Sequence, residues 1–307
     1  MKNKENENLI FHQYFKNWIS IYKEGGVRKV TYQKYLNTYK WLLKIVPNLY
    51  VHEIDRVTYQ MILNRYSKEH EKQTTMDFHH HLKAVILDAL DDGLIKKDPT
   101  RKAIIKGKNP GNKKIKFLNQ FQLKTLLNNL KLEGQINWDY LIWLVAKTGL
   151  RFSEALALTA EDFDFRNQIL RINKTWNYKE HSGFAETKNL SSNRKIRIDW
   201  QIVVKFSELL KEFPKNKPIF VNQKIYNSTI NKRLERLCVK NNIPIISIHG
   251  LRHTHASLLL FAGVSTATVA QRLGHSGIHT TQKTYLHIIQ EMENKDIDLI
   301  MRTLAIL

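Results

Sequence analysis

Along almost its whole length the chain places apolar residues three and four apart, the period of helices that bury one face. This constrains the fold more than any other feature. From Leu9 to about Ile105 four segments carry the pattern: "YFKNWISIY", "TYQKYLNTYKWLLKIV", "VTYQMILNRYSKEH" and "TTMDFHHHLKAVILDALDDGLI". Four or five helices are expected there, with Pro47, Gly93 and Pro99 at the breaks, where a fixed φ or a permissive backbone ends a helix. The stretch "KGKNPGNKKIKF", Lys106 to Phe117, loses the periodicity and gains charge, glycine and proline, which reads as a linker. Helical spacing resumes at "LNQFQLKTLL", where Asn119 can cap a helix and Gln122, three residues on, makes a variant capping box. The exception lies between Asp164 and Asp199, where "NQILRINKTW" and "NRKIRID" alternate in the manner of strands and "FAETKNLSSNRKIRID" holds a polar turn between two extended arms. The expected fold is mainly α in two domains: a helical one over residues 1–105, a basic linker over 106–117, and a mixed α+β one over 118–307 with a small three-stranded antiparallel sheet.

Charge narrows the partners. The chain has 307 residues, 49 of them Lys or Arg against 28 Asp or Glu, giving a formal charge of +21 and a pI near 9.8. Such an excess attracts polyanions, and nucleic acid precedes acidic membranes or proteins because phosphate neutralisation releases counterions. Cys238 is the only cysteine, which excludes an intrachain disulfide and Cys-rich zinc modules and fits a reducing cytoplasm. The opening "MKNKENENLIFHQ" lacks the apolar core of a signal peptide, and "LIWLVA" is far too short to span a bilayer, so a soluble, cytoplasmic protein without a membrane partner is expected.

Chemistry concentrates in two places. In "AKTGLRFSEALALTAEDF" one helix ends at Thr148-Gly149 and another begins near Phe152, with Arg151 at the junction and Glu154 one turn on, able to hold the guanidinium as a bidentate pair. By itself such a pair is commonly a surface salt bridge. The stretch from His249 to Ile288 reads as three short amphipathic helices carrying many titratable groups. His249 and Arg252 share one face of the first, and a guanidinium fork beside an imidazole suits a phosphate. Metal is the competing reading for His249 and His253, four apart, but no HExxH glutamate or nearby carboxylate completes a site. Consecutive helical residues diverge, so His79, His80 and His81 do not make one either. Ser265 can cap the second helix, Gly274 can stop it, His275 follows, and Tyr285 lies on the third; taken alone, "TVAQRLG" and "TTQKTY" look like a helix-turn-helix.

The order Arg in "TGLRFSE", Lys in a β-turn arm, His-x-x-Arg in "HGLRH", His in "LGHS" and Tyr ten residues later in "TYLH" resembles the tyrosine recombinase, or phage integrase, family, in the form found in phages and conjugative elements of low-GC bacteria. The resemblance spans the catalytic half through five ordered signatures and extends to a helical core-DNA-binding domain ahead of it. It implies Tyr285 as a nucleophile forming a 3′-phosphotyrosyl bond, Arg151 and Arg252 as the clamp on the nonbridging oxygens, and His275 as a hydrogen-bond donor to the same phosphate. It further implies His249 as general acid/base, Lys188 as the acid for the departing 5′ oxygen, and Glu154 as a support for Arg151; Lys174, Lys179 and Lys195 lie in the same region as Lys188. His253, His255, His279, His287 and Arg272 match no chemical role in the family pattern and are expected to pack or meet the DNA backbone.

No metal or nucleotide cofactor is implied, because the phosphotyrosyl bond conserves the phosphodiester's energy. The partners implied are double-stranded DNA core sites, three further protomers in a tetramer on DNA, and, as accessory proteins, an excisionase or a host DNA-bending protein. Many such integrases begin with an arm-site domain, whereas the helices here start just after Asn8, which suggests either simple core sites or a truncated form. The apolar tail "DIDLIMRTLAIL" is expected either to dock on a neighbouring protomer or to cap its own core. A non-catalytic helix-turn-helix regulator and a type IB topoisomerase are the alternatives: the first forms no covalent adduct, and the second relaxes supercoils without exchanging strands.

Overall fold

The computed structural model describes residues 8–109, 117–187 and 189–285. They form two compact units, one on each side of residues 110–116. The first is helical: α1 (Phe11–Tyr22), α2 (Lys29–Ile45), α3 (Arg56–Ser67) and α4 (Lys72–Asp91). Its core is built from the apolar face of each, with Phe11, Phe15, Leu42, Tyr59, Phe78 and Leu82 fully enclosed. The histidine triplet of α4 divides as helix geometry demands: His79 Nδ1 meets Tyr59 Oη at 2.6 Å and His81 Nδ1 meets Thr38 Oγ1 at 2.8 Å. Lysines lie over aromatic rings at the surface, Lys23 over Trp18 at 4.5 Å and Lys44 over Trp41 at 4.3 Å. After α4 the chain returns along this unit: the Ile104 N–H donates to Gln60 Oε1, and the Lys108 N–H donates to the His70 carbonyl.

The second unit opens with α5 (Gln120–Asn128), and the Asn119–Gln122 capping box forms as expected. At its centre lies α6 (Trp138–Thr148), buried on all sides from Asp139 to Ala146, so its hydrophobic pattern runs nearly continuous. Asp139 is tolerated there because Arg233 grips both its oxygens, at 2.8 and 2.6 Å, while the Lys131 N–H donates to it. The short helix α7 (Phe152–Leu156) follows, then β1 (Phe163–Asp164), β2 (Ile169–Ile172), β3 (Thr175–Trp176), β4 (Phe184–Ala185) and β5 (Arg194–Arg197). The expected three-stranded antiparallel sheet is present, in the order β1-β2-β5. The arm read as one strand over "NQILRINKTW" is divided, however, and β3 pairs with β4 in a separate ribbon. The division falls where Lys174 turns to the buried carboxylate of Asp162, 2.6 Å away.

Four further helices follow among the described residues: α8 (Trp200–Leu209), α9 (Asn227–Lys240), α10 (Ile248–Phe261) and α11 (Thr266–Leu273), then helical residues 278–285, here α12. Ser265 caps α11 and Gly274 ends it in the left-handed conformation, as the sequence suggests. Helix α10 packs along α6, and Thr254 Oγ1 on α10 accepts from the Leu118 N–H, tying the start of the unit to its centre. No described helix is long and apolar enough to cross a membrane.

Candidate active site

The site grows from the α6–α7 junction. Gly149 ends α6 at φ +70°, and a Cβ there would lie 2.7 Å from the His255 ring and 2.9 Å from Leu273, so both the turn and the packing require glycine. This tight exit places Arg151 at the start of α7. The Arg151 N–H donates to Glu154 Oε2 at 2.9 Å and its guanidinium to Oε1 at 2.7 Å. The bidentate partner of Glu154 is nevertheless Arg194 of β5, whose two terminal nitrogens reach both oxygens, at 3.2 and 3.0 Å. Glu154 is only 1% exposed and is thus shared between two arginines.

The same guanidiniums converge on the C-terminal end of α11, where the last carbonyls lack helical partners and carry the negative end of the dipole. Arg151 donates to the Gly274 carbonyl at 2.9 Å; Arg252, from α10, donates to the Leu273 and Gly149 carbonyls, each at 2.7 Å. Arg194 Nε donates to the Arg272 carbonyl at 2.7 Å, and Arg272 in turn donates to the Arg197 carbonyl and to His255 Nε2. His275, just past the helix end, is fixed through Nδ1 by the Thr281 hydroxyl at 2.7 Å.

Tyr285 lies against Ala256, Leu260, Val269 and Leu273, only 2% exposed, with its Oη 2.9 Å from His253 Nδ1. His249 is exposed one turn before His253, and the two rings meet edge to face at 4.8 Å. The pair read as a metal option is thus occupied otherwise, with His253 turned to the phenol. The structure therefore brings together Arg151, Glu154, His249, Arg252, His275 and Tyr285, while Lys188 lies outside the described residues. Of its neighbours, Lys174 is engaged with Asp162.

The electrostatics are one-sided. Among the described residues Glu154 is the one carboxylate bonded to any of Arg151, Arg194, Arg252 and Arg272. Burial pushes the Glu154 carboxyl up, but the bonds and charge of Arg194, with Arg151, outweigh it and hold it below the ordinary value. Burial, then the charge of Arg151, lowers the Arg252 guanidinium to about 9, still cationic at neutral pH. Burial and the surrounding Arg252, Arg151 and Arg194 bring His275 down to about 4; crowding, then Arg252 and Arg151, also lowers His249. Burial pushes the Tyr285 phenol up to about 12 against the pull of Arg252. Several cations around one anion, with neutral imidazoles and a phenol beside them, leave room for a second anion.

Sequence reasoning missed Arg194. Its place two residues before Ile196 and four before Ile198 puts it on the inward face of the strand, a signal the charge of the surrounding residues hid, and there it meets Glu154. Arg272 and His255 prove to be a bonded pair behind the site, in keeping with a packing role.

A mainly helical unit that gathers guanidiniums beside a tyrosine can take a phosphate next to an oxygen nucleophile. The chain belongs to the phage integrase family, whose profile its residues 116–292 match, and is thereby a site-specific recombinase of the tyrosine type. It is 27% identical to the integrase of Staphylococcus phage L54a over 95% of this chain and 92% of that one. It is 31% identical to the tyrosine recombinase XerA of Saccharolobus solfataricus over 58% of this chain and 54% of that one. Its fold is similar to that of the Tn1549 transposon integrase in complex with transposon right end DNA, with a TM-score of 0.77 at 22% identity over 93% of this chain and 99% of that one.

Proposed function

We propose that this recombinase cuts duplex DNA at core sites with Tyr285 and rejoins it to a second duplex, integrating or excising a mobile element. The observation that carries this reading is the shared set of cations: Arg151 and Arg252 meet at one helix end, where Glu154 is the one carboxylate bonded to the cluster among the described residues. Each guanidinium has five N–H donors, and those not bonded to protein can take the nonbridging oxygens of a scissile phosphate. Negative charge grows on those oxygens as phosphorus becomes five-coordinate, so donors fixed in advance stabilise the transition state more than the ground state.

In this mechanism Tyr285 Oη forms a bond to phosphorus, the bond to the 5′ oxygen breaks, and the electron pair leaves with that oxygen. His275 donates to the phosphate, His249 stands at the open side of the site as acid/base, and Lys188 protonates the leaving oxygen. Glu154 holds Arg151 and Arg194 in place. The helical unit over residues 1–105 binds core DNA, in keeping with its surface lysines, and residues 106–117 connect it to the catalytic unit. Four protomers act on two duplexes, in the cytoplasm, with an excisionase or a DNA-bending protein supplying direction.

The reading is tested with a supercoiled plasmid carrying two copies of DNA from the flanks of the encoding gene. Recombinant circles are expected. Relaxation without exchange would favour the topoisomerase, and binding with neither product would favour the regulator.

A further inference from the structure

We infer that His253 accepts the phenolic proton of Tyr285 as the tyrosine attacks DNA. The inference rests on the recombinase reading and goes beyond it, since the family resemblance gives His253 no role and assigns acid/base duty to His249. The geometry favours His253: its Nδ1 is 2.9 Å from Tyr285 Oη, whereas the His249 ring meets the His253 ring edge-on. In the tautomer with its hydrogen on Nε2, Nδ1 is the acceptor and the phenol donates.

The surroundings make a local base necessary. At 2% exposure Tyr285 is shut off from bulk water, and burial pushes its phenol up to about 12, so hydroxide in solution neither reaches it nor ionises it near neutrality. Among the described groups near the pair, Arg252 of the same helix acts on Tyr285, the His249 ring meets that of His253, and His275, from the loop after α11, is influenced by His253. Arg252 favours the phenolate, but its bonds run to the Gly149 and Leu273 carbonyls, and a guanidinium takes no proton. An imidazole at bonding distance accepts one in its neutral form.

The step balances without a co-reactant. Tyr285 gives its proton to His253, the Oη–P bond forms, the P–O5′ bond breaks, and the 5′ oxygen takes a proton from a separate acid. On rejoining, a 5′ hydroxyl gives its proton back to the conjugate base of that acid as its oxygen bonds phosphorus, the Oη–P bond breaks, and Tyr285 leaves with the proton returned by His253.

His253→Asn tests this, because the amide oxygen can occupy the position of Nδ1 and keep the hydrogen bond while being unable to take the proton; His253→Gln serves as a second variant, and the variant judged is one with wild-type melting and DNA binding. The probe is a nicked duplex from the flanks of the encoding gene, with the cleavage position mapped by wild type. A second probe carries a 5′-bridging phosphorothiolate there, whose thiolate leaves without an acid. The covalent adduct is expected to form about 100-fold more slowly at neutral pH, the scale of a lost general base. Its rate should climb with pH as the phenol ionises unaided. The defect should persist on the phosphorothiolate, while that of Lys188→Ala is relieved. A rate within about threefold of wild type, or a defect erased by the thiolate, overturns the inference while leaving the recombinase intact. Failure of the wild type itself to form an adduct overturns the recombinase reading and this inference with it.

Discussion

Arg151 and Arg252 reach one helix end from different elements, and their value lies in planar forks that bind carbonyls on one side and offer donors on the other. A lysine keeps the charge but not the fork, so Arg151→Lys is expected to slow covalent adduct formation by about 100-fold with DNA binding retained, which single-turnover cleavage against gel-shift affinity will show. The buried imidazoles give a pH signature. His255 is brought down to about 3 by burial and Arg272, and His275 to about 4. Both folded values lie below the ordinary 6.5, so the unfolded chain binds protons first as pH falls. Their contribution is complete above about 6.5 and is lost progressively below it. The melting temperature should therefore fall between pH 6.5 and 4, and His255→Gln should flatten that slope; an unchanged slope contradicts the assignment. At this scale the ordered Arg, His-x-x-Arg, His and Tyr signatures marked residues that do converge. His253 and Arg194 escaped because their partners, Tyr285 and Glu154, lie 32 and 40 positions away, and no local spacing brings such pairs together.

The α11 helix organises the site by its C-terminal end. Its stop at Gly274, φ +68°, is legible from the glycine, but the demand on that residue is stricter than a turn: a Cβ would lie 2.8 Å from the Arg194 guanidinium and 3.0 Å from the Ser191 carbonyl. Gly274→Ala is thus expected to destabilise the protein by more than the ~1 kcal/mol of the left-handed backbone alone and to lower cleavage, measured by denaturant unfolding and adduct yield. Glu154→Ala leaves two neighbouring guanidiniums without their shared carboxylate and should cost about 3–5 kcal/mol, the range for breaking a buried ion pair. Helix positions followed from apolar spacing and caps, since both are local. The separate β3–β4 ribbon did not, because the division falls at Lys174, whose partner Asp162 is brought to it by the fold.

Across the whole molecule, 49 basic against 28 acidic residues predict DNA affinity that falls steeply with salt, by about a thousandfold between 50 and 200 mM if six or more phosphates are neutralised. Titration by fluorescence anisotropy checks this; a weak salt dependence would remove the electrostatic basis of binding. The mainly helical character with one small sheet was readable in the periodicities, and the recombinase family in the ordered motifs. The apolar tail and Lys188 lie outside the described residues. We propose that Tyr285, set among these arginines, becomes joined to DNA. The most direct measurement incubates wild type and Tyr285→Phe with a nicked duplex from the flanks of the encoding gene and resolves the products under denaturing conditions. A protein–DNA adduct from wild type alone, mapping by mass spectrometry to the peptide containing Tyr285, is the predicted result. An adduct that survives Tyr285→Phe, or salt-sensitive binding that never becomes covalent, would contradict it.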